Sequence, residues 1–389
     1  MRMHIHTFGI GFVCLSLALA STPAPAFAQA CGDGTFDPQE LCVEKATTVI
    51  KTDGPVRTVL ASDVNADGFL DIVAVTTDEV YLRYGNATGL GPVSLFWHYA
   101  AVDFWDIATG DFDGDGDLDL AMADRANDRV LVKWNLGSAL FSFGTTVPVD
   151  DQPVRVLSAR LNLDARDDLV TLNRADQSAT VLLAAGGGAF AGSDYDVGNT
   201  RDIALGDCDA DGSLDLLYFT GTGTSTQLHA RPNTFGFLGP AISSGLPLFD
   251  PLVGYMTPLS IVSGDLNADG IDDVSVSASW SRLAPAIGNG ACGFVPRPYG
   301  IMWAWTYRQR MIDFDQNGTL DVAGAHGVAA DYSVAWGNGA GAFALYGVEH
   351  LAATAAPVQD LAFGDFNGDG IRDVLIAASS SVQLQRGNP

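Results

Sequence analysis

The chain has 389 residues, 47% hydrophobic and 17% charged, which is enough apolar material for a large core and unlike a disordered tail. Its formal net charge is −26 at pH 7. A surface that acidic repels phosphate backbones and anionic lipid, so no nucleic-acid partner is expected and cations are favoured.

In chain order, Arg2, the apolar stretch from Phe8 to Ala20 and Ala26-Phe27-Ala28 read as a cleaved secretory signal over residues 1–28. The apolar run is too short to cross a bilayer, so no membrane insertion is expected and the mature chain is expected to be secreted or periplasmic. A lipoprotein anchor at Cys31 is disfavoured, because Ala28-Gln29-Ala30 before it is a poor match. Residues 29–45 form a short segment in which Cys31 and Cys42 bracket a polar loop that an oxidising compartment would staple as a disulfide. Cys208 and Cys292 are read as buried free thiols acting as small hydrophobes, with a bond between adjacent repeats as the alternative.

From residue 46 to 389 the chain repeats. Seven nine-residue loops of the form D-x-[DN]-x-[DN]-G-x-x-D begin at Asp63, Asp111, Arg160, Asp207, Asp265, Asp313 and Asp365, at steps of 48, 49, 47, 58, 48 and 52 residues. In the first copy Val56 to Ser62 precedes the loop. Ile72-Val73-Ala74-Val75, Val80 to Tyr84 and Val93 to Trp97 follow it as short strands separated by polar or glycine-containing turns. About 48 residues of four antiparallel strands make one blade of a β-propeller. The expected fold is therefore all-β, a seven-bladed propeller. Its last repeat lacks a fourth strand, and Thr47 to Lys51 is expected to supply it and close the ring. Small residues before each loop, as in Ile107-Ala108-Thr109-Gly110, suit the innermost strand, where sheets converge on the axis.

Side chains at loop positions 1, 3 and 5 can wrap one ion while the glycine at 6 permits the bend, and an aspartate at 9 anchors the next strand to it. The expected ligands are Asp63, Asn65, Asp67 and Asp71; Asp111, Asp113, Asp115 and Asp119; Asp207, Asp209, Asp211 and Asp215; Asp265, Asn267, Asp269 and Asp273; Asp313, Asp315, Asn317 and Asp321; and Asp365, Asn367, Asp369 and Asp373. Hard oxygen donors in this number suit Ca²⁺, at about six sites. The third copy, with Arg160 at position 1, Ala165 at the glycine and Arg166 at position 7, is expected to hold no ion.

These repeats resemble the FG-GAP/VCBS type of integrin α-subunit propellers and secreted bacterial proteins. The resemblance rests on segments such as Gly110-Asp111-Phe112-Asp113-Gly114-Asp115-Gly116 and Gly364-Asp365-Phe366-Asn367-Gly368-Asp369-Gly370. It implies a seven-bladed propeller with Ca²⁺ on one face, and no single activity.

Recognition is expected on the face opposite the acidic loops. Six residues before each loop stand Arg57, Trp105, Val154, Arg201, Leu259, Tyr307 and Gln359, with Asp106, Arg155, Asp202, Arg308 and Asp360 beside them. Arg57, Trp105, Arg155, Arg201, Tyr307 and Arg308 are the candidate ligand contacts, for an anionic or carbohydrate ligand; the plainer reading makes them ion pairs tying adjacent blades. Likewise, two aromatic stretches could stack sugars or wedge between blades: Trp97, Tyr99, Phe104 and Trp105, and Tyr299, Trp303, Trp305 and Tyr307. A ten-residue excess after Thr220, and Gln309-Arg310-Met311 where small residues are expected, mark an irregular sector.

After the signal, only His98, His229, His326 and His350 remain, and none lies in a zinc, nucleophile-elbow or phosphate-loop context. No catalytic residue is assigned. The expected function is a secreted, calcium-binding module for a glycan or protein ligand. The alternative is a polysaccharide-acting, lyase-like enzyme using Tyr307 and Arg308.

Overall fold

The computed structural model describes residues 45–142, 144–302, 305–352 and 356–387. The signal segment, the Cys31 and Cys42 pair and Trp303 lie outside the described residues. Seven antiparallel sheets of at least four strands each follow one another along the chain. Blade 1 runs through Thr58–Ser62, Asp71–Val75, Glu79–Asn86 and Gly89–His98. Blades 2 to 6 repeat the plan, starting at Phe104–Gly110, Pro153–Ala159, Ile203–Gly206, Pro258–Gly264 and Arg308–Ile312. In blade 7, Val358–Gly364, Asp373–Ala378 and Ser381–Gln385 are joined by Thr47–Lys51, which pairs antiparallel with Ser381–Gln385. The N-terminal strand therefore closes the ring, and the sheet edge it covers cannot template association.

The second strand of a blade is covered on both faces by its neighbours, so it reads as an unbroken apolar run instead of alternating. Asp119–Asp124, Asp273–Ala278 and Asp373–Ala378 are buried at every position. Seven hydrophobic clusters among the described residues each bridge two consecutive blades, including the one across the closure that joins Ile72 and Ala74 to Leu375 and Ala377. Burial of this kind is the main stabilising contribution, at about 25 cal/mol per Å² of apolar surface. The aromatics of the first stretch belong to this packing. Trp97 meets Phe141 of blade 2 edge-on, with centroids 5.4 Å apart, and Tyr99 meets Phe104 in the same way.

The excess after Thr220 folds into two small hairpins, Asn233–Thr234 with Phe237–Leu238 and Phe249–Asp250 with Gly254–Tyr255. Cys208 and Cys292 are bonded, with Cα atoms 4.6 Å apart, which corrects the expectation of free thiols. The reason lies in loop position 2. Elsewhere a large side chain such as Phe112 or Phe314 fills the slot toward the next blade, where it meets Phe190 or Phe363. Cys208 is too small to fill that slot, and Cys292 from the third turn of blade 5 reaches it.

Candidate functional site: acidic loops and an arginine funnel

Each acidic loop folds around its own backbone. In the first, Asp63 Oδ2 accepts the Gly68 N–H at 2.8 Å and Oδ1 accepts the Asp67 N–H at 3.1 Å. The glycine at position 6 sits at φ between 84° and 94° in all six complete copies, a conformation that disfavours any side chain. Carboxylate oxygens converge within 4.8 Å of one another from Asp111, Asp113 and Asp115, from Asp207, Asp209 and Asp215, and from Asp313, Asp315 and Asp321. Such a set of hard oxygens fits a divalent cation of the calcium type. In the third copy, Arg166 Nη2 instead donates to Asp164 Oδ2 at 2.8 Å, and Arg160 lies 3.5 Å from Asp167.

Position 9 does more than the sequence suggested. One oxygen of Asp71 accepts the Val64 N–H from loop position 2, and the other accepts the Gly85 N–H at the end of the third strand. All seven copies repeat this clamp at 2.7 to 3.0 Å, including Asp168 in the third. Burial pushes the carboxyls of Asp71, Asp215 and Asp273 up to about 6 and those of Asp119 and Asp321 to about 7, with neighbouring loop aspartates adding to it and the backbone N–H donors opposing it. A bound cation would relieve that penalty.

At the other end of the innermost strands, five residues before each loop, stand Thr58, Asp106, Arg155, Asp202, Ser260, Arg308 and Asp360. Three aspartates each reach into the following blade: Asp106 accepts from Arg155, Asp202 from Ser260 Oγ at 2.6 Å, and Asp360 from Thr58 Oγ1 at 2.6 Å. Arg308 Nη1 donates to Asp106 at 3.0 Å, and Arg155 Nε lies 2.7 Å from Asp202 Oδ1, a charge contact without hydrogen-bond alignment. Bulky Gln309 and Arg310 are explained here. Gln309 Nε2 donates to the Ser260 carbonyl at 2.9 Å and Arg310 Nη2 to Asp360 at 2.7 Å, so these side chains tie blade 6 to blades 5 and 7. Burial alone would raise the Asp106 carboxyl, but Arg308, Arg155 and Arg310 outweigh it and hold it below its ordinary value.

Above this belt opens a cavity of about 310 Å³. All six candidate ligand contacts line it: Arg57, Trp105, Arg155, Arg201, Tyr307 and Arg308. Their roles differ. Arg155 and Arg308 are committed to the aspartates below. Trp105 is held between two guanidiniums, with Arg57 4.6 Å and Arg125 4.4 Å from its ring centroid, while Arg125 Nε donates to Asp103 at 2.7 Å. Arg201 does not pair with Asp202, and its side chain has no hydrogen bond or ion pair among the described residues.

Arg174 also lines the cavity; like Arg201 it is exposed, and its side chain too has no hydrogen bond or ion pair among the described residues. Desolvation, then Arg201 and Arg125, push its guanidinium below its ordinary value. Counting backward from the loops missed it. Counting six residues forward from each position-9 aspartate, to the turn between strands two and three, finds Arg125 after Asp119 and Arg174 after Asp168. The lining thus carries five arginines against one carboxylate, Asp202, in a protein of net charge −26.

The FG-GAP-like repeat family matches residues 63–122 and 313–376. The chain carries FG-GAP-like repeats. No curated protein matches it. Among solved structures, the chain is similar to BBS1N in a complex with ARL6DN, at 15% identity and a TM-score of 0.61 over 90% of this chain and 97% of that one. It is also similar to a streptogramin B lyase, at 13% and 0.57 over 89% and 97%, and to virginiamycin B lyase from Staphylococcus aureus, at 10% and 0.56 over 89% and 99%. At these identities the likeness is one of fold. No helix among the described residues is long and apolar enough to cross a membrane.

Proposed function

We propose that this FG-GAP-like propeller is an extracytoplasmic binding module, pinned by Ca²⁺ on its loop face and recognising an anionic ligand at the funnel on the opposite face. The observation that carries the reading is the pair of unpartnered guanidiniums, Arg174 and Arg201, in a cavity lined by five arginines and one carboxylate. Like charges gathered without counter-ions repel one another, and an anion relieves that repulsion. The Cys208–Cys292 bond supports an oxidising compartment, in keeping with the signal segment. Three of the complete loops bring carboxylate oxygens within 4.8 Å of one another, a set suited to calcium, and position 9, the first residue of the second strand, links the loop to the third strand through its two accepted N–H bonds.

A binding role is favoured over lyase chemistry because Arg308, which the lyase reading would use beside Tyr307, is already tied to Asp106 and to the Trp105 carbonyl. The test is titration of the calcium-loaded chain with inorganic sulfate and phosphate, followed by tryptophan fluorescence, alongside an assay for unsaturated sugar release from acidic polysaccharides. Saturable anion binding lost in Arg174→Gln and Arg201→Gln, without turnover, supports the reading. Anion binding unaffected by both substitutions rejects the funnel as the site.

A further inference from the structure

Beside the funnel, and sharing Arg201, Leu259 and Tyr307 with it, lies a second cavity of about 300 Å³ whose remaining wall includes Tyr255, Trp280 and Trp305. Four large aromatics stay in solvent there: Tyr255 is 69% exposed, Trp280 51%, Trp305 40% and Tyr307 39%. Grouped exposed aromatics of this kind mark interaction sites, since isolated ones are scattered over ordinary surfaces. Trp280 and Trp305 meet at an interplanar angle of 75° with centroids 6.1 Å apart, so their faces form a corner.

The corner is held in place. Trp280 and Ser281 occupy the tip of the turn between the second and third strands of blade 5 at φ 63° and 60°, the left-handed region that a bulky residue seldom adopts. Arg282, the next residue, donates from Nε to Asp250 at 2.8 Å, and Asp250 belongs to the small hairpin that carries Tyr255. The Thr257 N–H donates to Ser279 Oγ at 2.9 Å, fixing the same two segments. The irregular excess after Thr220 thus places Tyr255 against the turn that displays Trp280.

Shallow, exposed ring faces suit the C–H face of a sugar ring, which has no side chain to bury, whereas a peptide needs pockets for its side chains. An oxyanion substituent on that sugar would point toward Arg201, at the boundary of the two cavities, and Arg174 beyond it; guanidinium binds such groups in bidentate fashion. We propose that the corner and funnel together bind an acidic saccharide. A sugar ring packs on Trp280 and Trp305, and its carboxylate or sulfate is held by Arg201 and Arg174. This rests on the funnel being the recognition surface and adds the ligand class.

The experiment is calorimetric titration of the calcium-loaded mature chain with oligogalacturonate, sulfated dextran, neutral dextran, inorganic sulfate and hexaglutamate. Trp280→Asn, which keeps a residue tolerant of positive φ, and the double substitution Arg174→Gln/Arg201→Gln are compared, with melting curves confirming that both fold. Oligogalacturonate or sulfated dextran should bind and neutral dextran should not, and each variant should weaken binding about tenfold or more. Tighter binding of the first assigns a carboxylate, and of the second a sulfate. Hexaglutamate binding as tightly as the acidic saccharides, or Trp280→Asn leaving saccharide affinity unchanged, overturns the saccharide assignment while sparing the funnel. If no anion binds, inorganic sulfate included, the funnel reading itself fails.

Discussion

Arg308 Nη1 donates to Asp106 Oδ1 at 3.0 Å, joining the innermost strands of blades 6 and 2 across the propeller axis, between residues 202 positions apart. Those blades are not neighbours, so the contact bridges the channel as well as tying the ring. Both side chains are largely buried, at 16% and 4% exposure, and Asp106 is also paired with Arg155. Replacing Arg308 by Met should destabilise the fold by about 1–3 kcal/mol at neutral pH, because the buried Asp106 carboxylate loses one of its two guanidinium donors and keeps Arg155.

The same pair sets a pH dependence. The folded Asp106 carboxyl lies below its ordinary value of 3.8, so its contribution to stability is fully present above that value and is lost as pH falls through the folded pKa. Arg308→Met removes the largest opposing charge, so the folded carboxyl titrates higher than in the parent and acid costs the variant less. Urea unfolding of both proteins should therefore show a stability gap that narrows below about pH 4. A gap of equal size at pH 3 and pH 7 would mean that the charge pair is not its cause.

The position-9 clamp separates from metal binding in the third copy. Asp168→Asn should lower stability by about 1–3 kcal/mol, since the amide cannot accept both the Leu161 and Ala184 N–H groups, while leaving the calcium stoichiometry unchanged. Asp119→Asn in the second copy should lower both. Melting curves with metal analysis decide; loss of calcium in the Asp168 variant would place an ion where two arginines stand.

The Cys208–Cys292 bond spans 84 residues of sequence and staples blade 4 to blade 5. In the chain-entropy account, reduction should cost up to about 4.6 kcal/mol. Denaturant melts with and without reductant test this, and identical midpoints would show that the cross-link contributes nothing.

The fold was legible because its determinants are local and repeated: the acidic loop and the strand beginning at position 9 recur every 47 to 58 residues, and Thr47–Lys51 stood alone without a blade. Contacts between repeats were not. Nothing in the residue order announces that Cys208 faces Cys292, or that Asp202 turns to Arg155 and Ser260 and leaves Arg201 free, because those partners are set by the rotation from one blade to the next. In the sequence, position 9 reads as a ligand that anchors the next strand to the ion, although its persistence in the third copy, where positions 1 and 6 are Arg160 and Ala165, points to a structural duty independent of metal. Arg174 was missed for a simpler reason: the rim is built from two sets of strand ends, and only one was counted.

Calcium pinning of the blades is the claim on which the account rests, and one preparation tests it: elemental analysis of the purified mature chain, followed by thermal melts before and after chelation. The account predicts about six calcium ions per chain, with a melting temperature that falls on chelation and recovers when calcium is returned, because an ion bound only by the native state stabilises it by mass action. A metal-free protein whose melt is indifferent to chelator and calcium alike would contradict it.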